Sequence, residues 1–95
     1  MKVSFHPAAS RELRKYQKWY LDRSETAAAG YEREIDHAIM RISEAPERYA
    51  LTVRGRRRFV LLKYPFDVIY RVLPDEVEIM AIAHHSRRPN YWRHR

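Results

Sequence analysis

The 95-residue chain contains no cysteine. That excludes disulfide staples, a thiolate nucleophile and cysteine-ligated metal, and it fits a reducing compartment. Glycine is almost as scarce: only Gly30 and Gly55 occur. No glycine-rich phosphate cradle and no G-x-S-x-G elbow exist, so nucleotide-binding enzymes and α/β-hydrolases are set aside. No apolar run approaches the length of a membrane span. The opening MKVSFHPAAS lacks the long apolar segment of a secretory signal, and the expectation is a cytoplasmic location. Acid is scarce in one half. Residues 51–95 hold ten Lys/Arg against four Asp/Glu, whereas residues 1–50 hold nine against eight. Most of the formal net charge of +7 therefore sits in the second half, which suggests an anionic partner such as nucleic acid or an acidic protein.

What is present reads as one small globular domain over 1–95, 45% hydrophobic and 33% charged. KVSF is a short strand closed by His6-Pro7. PAASRELRKYQKWYLDR carries Ala9, Leu13, Tyr16 and Tyr20 at the spacing of one helical face. Ser24 begins a second helix striped by Ala28, Tyr31, Ile35, Ala38, Ile39 and Ile42, and Pro46 stops it. Gly30 either marks a close approach or means that the helix proper starts after it. The period then changes. RRFVLLKY, DVIYRVL and VEIMAIA have strand length and composition, with Pro65-Phe66 and Pro74-Asp75-Glu76 as turns. The expectation is an α+β fold: a strand, a helical hairpin, then an antiparallel meander with the hairpin on one face. Its core would comprise Leu13, Tyr16, Tyr20, Ile35, Ile39, Ile42, Val68, Tyr70 and Ile79.

Two basic clusters are candidates for binding a target or a phosphate. One is RGRRR, with Arg54, Arg56, Arg57 and Arg58; the other is the ending HHSRRPNYWRHR, with Arg87, Arg88, Tyr91 and Trp92. Guanidinium forks match phosphate, and interleaved aromatics can stack on bases. In a three-stranded meander the two clusters flank opposite ends and form one patch only if the tail folds back. The alternative is that Arg56 to Arg58 form a solvated turn and Trp92 a lid over the core. His84 and His85 would point to opposite sides in extended backbone, so they do not chelate one metal together, and neither a metal site nor a cofactor is expected. Either ring suits general acid or base work.

The segments FHPAASRELRKYQKWYLDRS, AIMRISEAPERYA and VIYRVLPDEVEIMAIAHHSRRPNYWR, in that order, resemble the RelE/ParE superfamily of bacterial toxins, in the branch labelled plasmid stabilisation proteins. The resemblance runs from Val3 to about Arg93. It implies the toxin of a type II toxin–antitoxin system and a cognate antitoxin, with a hetero-oligomer as the resting form and no membrane association. It also implies one of two activities: growth arrest by binding DNA gyrase without RNA cleavage, or cleavage of mRNA in the ribosome through the 2′-hydroxyl. The resemblance places Arg87 where the cleaving members carry an arginine after the last strand. Asp67 stands where they have an arginine, and Lys63 with the Arg54 to Arg58 cluster would have to replace their paired lysines. Asp67 with His84 or His85 matches an acid–imidazole pair used by other members. The gyrase-binding reading comes first because of the ending, the ribonuclease second, and a non-toxic nucleic-acid-binding module third.

Overall fold

The computed structural model describes residues Met1–Arg95. Strand β1 (Lys2–Phe5) runs directly into helix α1 (Pro7–Leu21) because His6 caps the helix, its Nδ1 accepting from the Ala8 N–H at 3.0 Å, and Pro7 fills the first turn. Ser24 caps helix α2 (Glu25–Glu44) through the Ala27 N–H at 3.1 Å, and Pro46 follows its end. Three longer strands complete the chain: β3 (Arg57–Val60), β4 (Phe66–Leu73) and β5 (Glu76–His84), preceded by the two-residue β2 (Ala50–Leu51). The five-stranded sheet has the order β1-β5-β4-β3-β2. All its pairs are antiparallel except β1 with β5, which are parallel. β1 forms one edge of the sheet, and its parallel pairing with β5 is possible because the helical hairpin lies in the long connection that a parallel pair needs.

One sheet face carries the hairpin. Ile35, Ile42, Val68, Tyr70 and Ile79 are buried there, while Leu13, Tyr16, Tyr20 and Ile39 pack against them half-buried. Phe66, read above as part of a turn, is the first residue of β4 and is fully buried. The turn ends one residue earlier because the ring has Tyr16, Tyr31 and His84 to pack on. RRFVLLKY likewise stays a strand only to Val60. The loop beyond it is held by Glu34, whose carboxylate accepts from the N–H groups of Leu62 and Lys63. Gly30 lies inside α2, and the close approach is that of Tyr64, whose hydroxyl donates to Ala27 O at 2.7 Å across the glycine.

The other face is not bare. Between Ile69 and Tyr70 the β4–β5 register shifts, so that Met80 has no partner on β4. The extra residue puts Met80 and Ala81 into one apolar cluster with Ile69, Ala83 and Trp92. The chain after β5 therefore folds back across the open face. Its reversal is made at Arg88–Tyr91, where the Tyr91 N–H donates to Arg88 O, Pro89 sits second and Asn90 third with φ of 60°. Proline followed by a left-handed residue is the pattern of a type II turn, and asparagine tolerates that conformation.

Candidate functional site

The folded tail and the open face enclose a cleft of about 380 Å³, lined by Arg58 and Asp67 from the sheet and by His85, Arg87 and Arg88 from the segment after β5. Asp67 is the one acid among these groups. Its Oδ1 accepts from His85 Nε2 at 2.9 Å, and its Oδ2 lies 3.7 Å from an Arg58 guanidinium nitrogen. A carboxylate can only accept, so the bond fixes the proton of His85 on Nε2. Arg87 forms no ion pair. Its guanidinium lies over the Tyr91 ring, 3.9 Å from the centroid. Arg88 is exposed at the cleft rim. The result is a shallow, predominantly cationic cleft with one oriented imidazole.

His84 turns the other way. Its ring stacks on Tyr16 (centroids 5.7 Å) and meets Phe66 edge-on (5.0 Å). Its Nδ1 accepts from the Ser86 N–H at 3.0 Å and lies 2.7 Å from the Ser86 hydroxyl. Burial, and then the neighbouring His85, push its pKa below the ordinary value, which suits a neutral ring with Nδ1 unprotonated. His84 is thus a packing residue of the hairpin face.

The RGRRR cluster divides similarly. Only Arg58 faces the cleft. Arg57, on the hairpin side, donates to the carbonyls of Glu47 (3.1 Å) and Tyr49 (2.8 Å) and fastens the segment before β2. Arg56 donates to Arg54 O (2.8 Å) and to the main-chain oxygen of Arg95 (3.2 Å), so it holds the tail. Arg54 sits in a 3-10 turn with φ of 58°, and both it and Lys63, in the loop after β3, lie outside the cleft. Trp92 is 4% exposed and closes the apolar cluster of the open face; it is not a free stacking platform. Tyr91 is half-buried, its hydroxyl donating to Glu12 Oε2 at 2.6 Å. Glu12 was missed in the sequence because it reads as one more surface acid on an amphipathic helix; it is the one charged residue that is buried. The Pro89-Asn90 dipeptide was the available signal that the tail reverses.

A strand, a helical hairpin and a mixed sheet with a basic tail folded over its open face define a class of small α+β proteins. A solved structure described as the chromosomal ParDE TA system from P. aeruginosa shares this fold, with a TM-score of 0.76 and 20% identity, covering 88% of this chain and 95% of that one. The family described as "ParE toxin of type II toxin-antitoxin system, parDE" matches residues 3–89. Toxin RelE3 of Caulobacter vibrioides is 31% identical over 94 residues, covering 90% of this chain and 96% of that protein. The chain belongs to the ParE toxin family of type II toxin–antitoxin systems, within the RelE/ParE superfamily. Membership in that family implies an antitoxin partner. No helix is long and apolar enough to cross a membrane.

Proposed function

We propose that the protein arrests growth by binding DNA gyrase through the cationic open-face cleft, without cutting RNA. The observation that carries this reading is the parting of His84 and His85. Cleavage through a 2′-hydroxyl needs one group to take a proton from the attacking oxygen and another to return one to the leaving oxygen. His84 borders the cleft, but its ring is packed against Tyr16 and Phe66 on the other face, so His85 is the one imidazole bonded on the open face. Binding needs no such pair. Arg87 and Arg88, without carboxylate partners, and Arg58 at the opposite wall supply cationic recognition instead. The family matched over residues 3–89 is that of ParE toxins, the side of the superfamily for which the sequence resemblance implies gyrase binding.

A second reading, ribosome-dependent mRNA cleavage, rests on the bond between Asp67 and His85. A carboxylate that orients an imidazole beside arginines is the arrangement of a general base with charge stabilisers. Supercoiling by gyrase and translation of a defined mRNA, run side by side with purified toxin, separate the two. The gyrase reading expects inhibited supercoiling and intact mRNA; mRNA cut in the translating ribosome, with supercoiling unaffected, overturns it.

A further inference from the structure

We infer that Glu12, on the helix behind the sheet, is a positioning residue for Arg87 in the cleft. This rests on the reading of the cleft as the working surface. The reason begins at the sheet edge. β1 stops pairing at Phe5, opposite Ile79, and the His6 N–H takes Ile79 O at 2.8 Å; beyond it β5 has no neighbouring strand on that side. Backbone groups there still need partners. Glu12 Oε1 accepts from the Ile82 N–H at 3.1 Å, and an Arg95 guanidinium nitrogen donates to Met80 O at 3.0 Å. Helix and tail together complete the edge that the short β1 leaves open.

The same carboxylate then ties the tail down. Arg95 donates to both its oxygens, at 2.7 and 2.8 Å, and the Tyr91 hydroxyl donates to Oε2 at 2.6 Å. With Ile82, Glu12 accepts four hydrogen bonds and is only 8% exposed. Tyr91 carries the consequence into the cleft, because the ring whose hydroxyl Glu12 holds is the ring on which the Arg87 guanidinium rests. Arg87 has no acid to anchor it, so the position of that ring sets the position of its charge. Glu12 does not itself line the cleft and acts through Tyr91, which does.

The test is made with full-length protein carrying Glu12→Gln or, as a milder change, Tyr91→Phe, which keeps the ring and removes only its bond to Glu12. Two-dimensional NMR of arginine side chains follows Arg87, whose signals are displaced by the ring current of Tyr91, with Arg71, paired to Glu78, as the internal control. Both variants are expected to lose the Arg87 displacement while Arg71 is unchanged. Growth arrest should fall on the order of tenfold, and neither change should add to Arg87→Ala. A merely structural role for Glu12 predicts equal losses with and without Arg87, and that outcome overturns the inference. So does an Arg87 signal that keeps its displacement in both variants. A lost displacement in a protein whose growth arrest is indifferent to Arg87→Ala supports the positioning and overturns the reading of the cleft instead.

Discussion

His84 and His85 are adjacent in the chain and stand on opposite faces of the sheet, one ring against Tyr16 and Phe66 and the other bonded to Asp67. Their alanine variants should therefore separate. His84→Ala removes aromatic packing and should cost about 0.5–1.5 kcal/mol of stability. His85→Ala should stay within about 0.5 kcal/mol of the parent and lose activity. Urea unfolding and growth arrest, measured on both, check this; indistinguishable variants would refute the assignment of faces.

Ile42 and Ile39 share a helix but not an environment. Ile42 is fully buried and Ile39 half-buried at the margin of the core. Ile42→Ala should cost roughly 2–5 kcal/mol, the range for buried aliphatics, and Ile39→Ala clearly less. Equal losses in chemical denaturation would contradict the helix register.

Gly30→Ala sets helix propensity against space. Alanine favours a helix interior by up to about 1 kcal/mol, but a methyl group at Gly30 meets the Tyr64 hydroxyl and displaces it from Ala27 O. We expect a net loss of stability in the parent and a gain in a Tyr64→Ala background. Thermal melts of the four proteins in the cycle give the answer, and a gain in both backgrounds would show that Tyr64 yields freely.

Acid should destabilise the protein in two windows. The folded pKa of His84 is depressed below its ordinary 6.5, first by burial and then by His85. The unfolded chain thus takes up that proton first, and stability, whole above about 6.5, is lost as pH falls through the lowered folded value. Burial alone would raise Glu12, but the hydrogen bonds from Arg95 and Tyr91, the Arg95 charge and the Ile82 N–H outweigh it and hold the carboxyl below 4.5. Its contribution is present above about pH 4.5 and disappears as pH falls through the depressed value. Equilibrium unfolding across pH should show both steps, with His84→Phe removing the upper and Glu12→Gln the lower. A stability that rises as pH falls from 6 to 5 would run against the sign for His84, and one that rises as pH falls below 4.5 against the sign for Glu12.

Trp19, Leu21, Met40 and Leu62 are exposed apolar side chains on a strongly basic protein. An antitoxin that covers such side chains as well as basic ones should remain bound near 1 M salt, where the Debye length is roughly 3 Å. Full release of the partner at that salt, measured by size-exclusion chromatography, would exclude an apolar contribution.

The elements and most of the hairpin-side core were legible because they follow strong periodicities. Ile35, Ile42, Val68 and Tyr70 recur at helix or strand spacing, and the structure buries them. Phe66 was misread because Pro65 signals a turn without saying where it ends. The second apolar cluster was not legible either. It depends on a register shift that leaves Met80 unpaired and on a tail that returns to cover it, and neither has a periodicity. In the site, the basic residues were visible but their division of labour was not. Whether Arg56 and Arg57 bind a partner or the protein's own carbonyls is decided by which oxygens the fold brings near them.

The bonds of Glu12 to Ile82, Tyr91 and Arg95 span 70, 79 and 83 positions of the chain. Such separations slow closure, while the contacts within the helical hairpin form early. In the growing polypeptide both strands that flank β5, β1 and β4, are already made when it emerges, and only the tail that completes its open edge is still to come. A nascent chain stalled before Tyr91 already contains Arg87 but has no ring to set it. The contacts that seat the tail over the open face need Arg95, so the cleft is the last part of the fold to be completed as the chain is made.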